Sequence, residues 1–277
     1  MSGKRSGRAI GIFDSGLGGL TVFKSVRRLL PGENIIYFGD TARVPYGTKS
    51  EEAVISFSKE IASYLLRKNI KLLIVACNTA SSVALEEVRK ISGVPVLGVI
   101  EPGVKEALSL LRSKSRARGG RVLVIGTSAT VSSGAYSRAL FKKGGRILVS
   151  EKACPLFVPL AEEGWCSGRV AAMAAEKYLG PLRKKRFDAV ILGCTHYPLL
   201  KKIISAALGP GVSIVDSAMA AAVSARAELK AGGLLRNCGR SEKGKTEFIV
   251  SDAPEKFREL ALGLLKIKTG RVAVKRF

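Results

Sequence analysis

Residues 121–130, RVLVIGTSAT, repeat in outline the opening stretch at 9–19, AIGIFDSGLGG: an apolar run, a turn of small polar residues, then the start of a helical period. A β-branched run that passes through such a turn into a helix is how a strand of a parallel sheet ends, because helices cover both sheet faces and only the turn meets solvent. The same alternation continues along the chain. Strands are expected at 9–13, 35–38, 72–75, 96–99, 121–125, 146–149, 189–192, 213–215 and 247–250. Amphipathic helices are expected between them at 20–30, 51–68, 81–91, 102–112, 129–142, 169–179, 199–208, 219–231 and 254–266. The fold class is therefore α/β, with two similar lobes, each a mostly parallel sheet flanked by helices. The charged, glycine-containing stretch at 114–120 precedes the restart. A first lobe is expected over 8–100 plus about 214–277, a second over about 101–213, and a basic N-terminal extension at 1–7.

Composition agrees with a well-filled globular core: of 277 residues 47% are hydrophobic and 25% charged. No apolar run reaches the roughly 18 residues of a membrane span, and AIGIF after the basic N-terminus is too short for a signal-peptide core, so a cytoplasmic address is expected. The 5 cysteines include no CxxC pair, which argues for reduced thiols over a disulfide framework or a zinc site. The net charge of +24 is the departure from the ordinary. Much of it sits in runs such as RSKSRARGGR at 112–121 and RKKR at 183–186, with no aromatic residues interleaved to stack on bases, and a solvated basic surface is the expected reading.

Ligands of such folds bind beyond the carboxyl ends of the strands. The strand-end turns here are Asp14-Ser15-Gly16, Gly39-Asp40-Thr41 running on to Pro45-Tyr46-Gly47, Cys77-Asn78-Thr79, Gly126-Thr127-Ser128-Ala129-Thr130 and Gly193-Cys194-Thr195-His196. Two of them carry a cysteine in matching context, one from each lobe. A thiol at a strand end that faces a helix N-terminus is expected to have its thiolate favoured by the dipole and by nearby amides. Two such thiols across one cleft suit inversion of a carbon centre, because the proton leaves one face and returns to the other and each thiol serves as base or acid. No pyridoxal-phosphate site or nucleotide fingerprint is evident: DSGLGG lacks the GxGxxG spacing and the GK[ST] ending.

Bland alternatives stand beside each residue. Free cysteine is commonly inert packing, which is the expected role of Cys154, Cys166 and Cys238. Asp14 would serve equally as a helix cap, and the GLGG glycines as a tight turn or phosphate cradle. His196, the only histidine, lies two residues beyond a candidate thiol and is expected to have a functional role.

The motifs IGIFDSGLGGLTV, GDTARVPYG, IVACNTAS, GTSAT and ILGCTHYPLL, in this order and spacing, resemble those of the glutamate racemases of the aspartate/glutamate racemase superfamily, over nearly the whole chain. The resemblance implies an active site between two α/β lobes, no cofactor or metal, a frequent homodimer, and a product, D-glutamate, that is a building block of peptidoglycan. It makes Cys77 and Cys194 the acid/base thiols, with Cys194 taking the proton from L-glutamate and Cys77 from D-glutamate. It places Asp14 and Ser15 at the substrate amino group, Asn78, Thr79 and Thr195 on its polar groups, and Tyr46 and Gly47 at the side-chain carboxylate. It has His196 assist the second thiol together with Glu162, in PLAEEG beside Glu163. The basic extension, the insert at 112–121 and the high charge depart from the family without touching its motifs.

Three rivals remain at this level. An aspartate racemase would use the same thiols on a substrate one methylene shorter, a difference worth about 1–3 kcal/mol in a pocket. A nucleic-acid or gyrase-binding protein would use the basic surface, although the paired thiol turns would then have no reason to be complete. A thiol redox protein is disfavoured by the absence of a CxxC arrangement.

Overall fold

A computed structural model describes residues 6–113, 119–144, 146–239 and 242–277. The chain builds two parallel sheets. The first holds β1 (Ile10–Asp14), β2 (Ile35–Gly39), β3 (Leu72–Val75), β4 (Val96–Gly98), β9 (Thr246–Val250) and β10 (Val272–Val274), in the order β10-β9-β2-β1-β3-β4. The second holds β5 (Arg121–Gly126), β6 (Leu148–Ala153), β7 (Ala189–Gly193) and β8 (Ser213–Asp216), in the order β6-β5-β7-β8. Helices cover both faces: α1 (Leu20–Leu29), α2 (Glu51–Arg67), α3 (Asn78–Val83), α4 (Leu85–Ile91), α5 (Ile100–Ser113), α6 (Ser128–Ser132), α7 (Ala135–Gly144), α8 (Phe157–Glu162), α9 (Arg169–Leu179), α10 (Lys201–Leu208), α11 (Ser217–Ala231) and α12 (Pro254–Leu265).

Side chains of a strand point alternately to its two faces, so a strand covered on both sides is apolar throughout. In β1, Ile10 and Ile12 join Leu72, Ile74 and Tyr37 under α1 and α11, where Val22, Val26, Ala221 and Ala225 meet them. Phe13 faces the other way with Leu73 and Val75, against Val54, Ile61 and Leu65 of α2. The second sheet repeats the scheme. Leu123, Ile125, Val190 and Leu192 lie against α8, α9 and α10, and Val122, Val124 and Ile191 against α5 and α7. Each such side chain, fully buried, contributes about 1.5–3 kcal/mol. The parallel register lines up the carboxyl ends: Asp14 lies beside Gly39, Phe13 beside Val75, and Gly126 beside Gly193. Within each sheet, the turns named from the sequence thus lie together at the carboxyl end of the strands.

The elements depart from expectation at several places. The strand expected at 146–149 runs later, Leu148–Ala153, because this sheet edge tolerates Ser150, Glu151 and Lys152 half exposed. The short strand β10 and helix α8 were not anticipated. The first is three residues on a sheet edge between charged neighbours, and the second carries Pro159 in its first turn, where the missing N–H costs nothing. The helix expected at 81–91 begins earlier, at Asn78, and breaks at Ala84. The one at 129–142 breaks at Gly134, which has φ +60°. The return to the first lobe, set near residue 214, falls inside β8. This strand pairs with β7, and the crossing is made by α11, which packs on both α1 and α5.

Of the basic runs, Arg112, Arg121 and residues 183–186 are exposed, while 114–118 lie outside the described residues, as do 1–5 of the N-terminal extension. No helix among the described residues is long and apolar enough to cross a membrane.

Candidate active site

Asp14 ends β1 fully buried, and its carboxylate is held from both lobes. One oxygen accepts the backbone N–H groups of Gly16 at 3.0 Å and Gly19 at 2.9 Å, and the other accepts the Thr195 hydroxyl at 3.2 Å. The residue therefore caps the start of α1, as the bland reading had it, and also ties the first lobe to the turn that carries Cys194. Burial raises its pKa, and the pull of His196 and of the Gly19, Gly16 and Thr195 hydrogen bonds only partly offsets this.

The glycines of DSGLGG are needed for close approach. A Cβ on Gly18 would lie 2.4 Å from Thr195 Oγ1 and 2.6 Å from His196 Nδ1, so any side chain there would push the lobes apart. Gly18 and Gly19 are also the central residues of a tight turn closed by the Leu20 N–H to the Leu17 carbonyl at 2.9 Å, and neither adopts positive φ. Gly47 does the same on the other side of the cleft, where a Cβ would lie 2.5 Å from Thr127 Cβ.

Cys77 comes after β3 as the N-cap of α3, and its thiol donates to Ser15 Oγ at 3.7 Å. Its pKa is pushed up to about 12, first by burial and then by the Asp14 charge, with the Ala80 amide and Ser15 pulling back and the second thiol adding a small push. The thiolate expected from the helix terminus is therefore not favoured. A single helix end is a partial charge of about half a unit, and desolvation together with a full neighbouring anion outweighs it. In the closed site Cys77 carries its proton.

Cys194 has a different neighbourhood. Its sulfur lies 3.8 Å from His196 Nδ1, and His196 Nε2 lies 2.6 Å from Glu162 Oε1. Burial works against an imidazolium at His196, but hydrogen bonds to Cys194 and Glu162 and their charges outweigh it, and the pKa is raised well above the ordinary histidine value. Burial likewise pushes Glu162 up, and its bond to His196, with smaller help from Lys256 and the Leu17 amide, brings it below the ordinary carboxylate value. Glu163, the adjacent alternative, points outward to Lys256 at 3.3 Å.

The remaining residues named from the sequence are buried, and several meet partners from the other lobe. The Tyr46 hydroxyl donates to Asp40, and Arg43 donates to the same Asp40 oxygen at 2.7 Å, so the tyrosine is anchored from behind. Asn78 is buried: Oδ1 accepts the Tyr136 hydroxyl at 2.6 Å, and Nδ2 has no partner. A buried donor left unmet costs about 1–3 kcal/mol, which marks Nδ2 as a group awaiting one. Thr79 forms a triangle of hydroxyls with Thr127 and Thr130 of the other lobe, at 3.0, 3.2 and 3.0 Å. Thr127, Thr130 and Tyr136 were not singled out from the sequence, although the GTSAT turn was placed at a strand end. Of the other thiols, Cys154 lies in the second core, where burial pushes its pKa to about 12, and Cys238 lies against Gly32. Among the described residues no group of three His, Cys, Asp or Glu side chains is placed to hold a metal ion.

Both the sequence and the two-sheet fold are similar to those of known proteins. The chain is 51% identical over 265 residues to the glutamate racemase of Geobacter metallireducens, covering 96% of this chain and 95% of that one. The structure of glutamate racemase from Francisella tularensis in complex with D-glutamate superposes with a TM-score of 0.88 at 37% identity, over 98% of each chain. The Thermus thermophilus glutamate racemase, in complex with β-chloro-D-alanine, gives 0.85 at 46% identity, again over 98% of each. The model of the Asp/Glu/hydantoin racemase family matches residues 10–225, which span both lobes and both thiols, and the chain belongs to that family.

Proposed function

We propose that the protein is a glutamate racemase that interconverts L- and D-glutamate by two-base proton transfer without a cofactor, supplying D-glutamate for peptidoglycan. The observation that carries this reading is the pair of thiols at the ends of β3 and β7, each with its own proton partner, joined across the cleft by the Thr195–Asp14 bond.

The chemistry is set by the neighbours. With L-glutamate bound, Cys194 is the base: His196 accepts its thiol proton, and Glu162 stabilises the imidazolium that results. The thiolate then removes the α-proton, and the electron pair passes into the α-carboxylate. Cys77, which holds its proton, delivers it to the opposite face, and D-glutamate results. The reverse direction needs Cys77 as the base, with Asp14, whose pKa is raised, taking up the proton. Glutamate brings two carboxylates and one ammonium. The unmet Asn78 Nδ2, the threonine hydroxyls and the Tyr46–Gly47 segment supply donors for the carboxylates, and Asp14 and Ser15 meet the ammonium. Neutral donors fixed in a buried site stabilise the charge as it develops on the carboxylate.

The same reading carries a homodimer and a cytoplasmic setting. It is tested by incubating purified, chelator-dialysed protein with L-glutamate and monitoring circular dichroism. The signal is expected to decay to zero without additions. A signal that persists, or that decays only with L-aspartate or only with an added metal or cofactor, overturns it.

A further inference from the structure

Tyr136 reaches the site from behind. It begins the turn of α7 nearest the cleft, is fully buried against the second sheet, and belongs to the opposite lobe from Asn78. Its hydroxyl is the hydrogen-bond partner of Asn78 Oδ1, at 2.6 Å. An amide side chain has two ends of opposite character, two N–H donors and one acceptor oxygen. Turned by 180°, Asn78 would present its oxygen to an anionic substrate and repel it. The turn that carries Asn78 does not itself select an orientation, because Nδ2 has no partner within the protein. Among the described residues, the one side-chain bond to this amide comes from Tyr136.

We propose that Tyr136 is a positioning residue for racemisation: its O–H, reaching across from the other lobe, fixes the Asn78 amide so that Nδ2 faces a substrate carboxylate. The inference rests on the reading of Asn78 as a substrate donor. Tyr136 is fully buried behind Asn78 and acts through that amide, with Ser217 as a second hydrogen-bond partner of its hydroxyl. Because both enantiomers carry the same carboxylates, their binding depends equally on the amide, in contrast to the thiol neighbours, each of which serves one face.

The test is a double-mutant cycle on KM and kcat with Tyr136→Phe, Asn78→Ala and the pair, assayed with L- and D-glutamate. Loss of one hydrogen bond to a charged group corresponds to about a tenfold or larger change in affinity. Each single variant is expected to raise KM about tenfold for both enantiomers, with a smaller fall in kcat, and the double variant to be no worse than Asn78→Ala. A normal KM in Asn78→Ala overturns the reading of Asn78 as a substrate donor, and the inference with it. A raised KM in Asn78→Ala with a normal KM in Tyr136→Phe overturns the inference alone, as does a double variant whose effects multiply. Should Tyr136→Phe fail to fold, the unaltered protein decides. With 15N-labelled asparagine side chains, the Asn78 NH2 resonance is expected to shift when glutamate binds, while the Tyr136 hydroxyl proton remains protected from exchange. An unmoved amide, or a freely exchanging hydroxyl, overturns the proposal.

Discussion

The turns after β3 and β7 each place a cysteine at a strand end, but Cys77 caps a helix that begins at Asn78, whereas after Cys194 the chain turns and a 3-10 helix begins only at Tyr197. The residues beside the two cysteines differ as well. Asn78 and Thr79 come directly after Cys77, and its charged neighbour is a carboxylate, Asp14. Thr195 and His196 come directly after Cys194, and its neighbour is an imidazole backed by a second carboxylate. Burial is the same for both, 5% exposed. The difference is one of neighbours: burial and the Asp14 charge push the Cys77 thiol up, whereas beside Cys194 stands an imidazole backed by Glu162. Repetition of a fold therefore supplies two strand-end positions, and the local backbone and single side chains beside them make the positions chemically unlike.

The largest expected effect comes from removing either thiol. Cys77→Ser and Cys194→Ser are each expected to lower racemisation by about 10²–10⁴-fold or more, since a hydroxyl is a poor replacement for a positioned acid/base thiol. A β-substituted analogue with a good leaving group, which needs deprotonation on one face only, should still be consumed: the L-form by Cys77→Ser and the D-form by Cys194→Ser. A serine variant racemising at close to the normal rate would reduce that cysteine to packing.

Smaller effects are expected from the neighbours, and they test the asymmetry itself. The equilibrium constant between enantiomers is one, so any variant must lower kcat/KM equally in both directions. The comparison has to be read in kcat and in the isotope effect of α-deuterated substrate. His196→Asn should lower kcat chiefly from L-glutamate, and Asp14→Asn chiefly from D-glutamate, by about 10²-fold, the low end of the range of a single proton-transfer group. Equal losses in both directions for both variants would show that the two neighbourhoods are not specialised.

The smallest effect concerns stability. His196 has a raised folded pKa, so its contribution is full below its unfolded value of about 6.5 and is lost as pH rises through the folded value. Glu162 is lowered, so its contribution is present above about 4.3 and is lost as pH falls through its folded value. Their pair is thus worth most between roughly pH 4.3 and 6.5. Glu162→Gln should lower Tm by a few degrees, on the order expected for a protein of this size, near pH 5.5, with the gap narrowing toward high pH. A gap independent of pH would remove the ion pair from the account.

Much of this architecture was legible in the sequence because continuous apolar strands and glycine-bounded turns are local patterns. The thiol pair was legible as an echo of one turn in another, and His196 and Glu162 through resemblance. Three things were not. The direction of the Cys77 shift depends on burial and on Asp14, which lies 63 residues earlier in the chain. Thr127, Thr130 and Tyr136 each take a partner from the other lobe, Thr79 or Asn78, which lies 48 to 58 residues away in the chain and forms no local pattern. Strand β10 has too few residues to form a pattern, yet it brings Phe277 against Phe38 and Tyr64 and over the Arg43 guanidinium.

The two sheets also differ in how they are written along the chain. All four strands of the second lie between Arg121 and Asp216, whereas the first is begun by β1 to β4 and completed only by β9 and β10. A ribosome therefore delivers a whole second sheet while β2 still lacks its neighbour β9, and Tyr37 lacks the Phe248 and Phe257 rings that will cover it. At about 5–20 residues per second this interval is on the order of ten seconds. Through it the nascent chain carries an uncapped, strongly apolar sheet edge, the kind of surface that chaperones bind. The synthesis of β9 and β10 thus decides whether that edge closes on its own chain or on another.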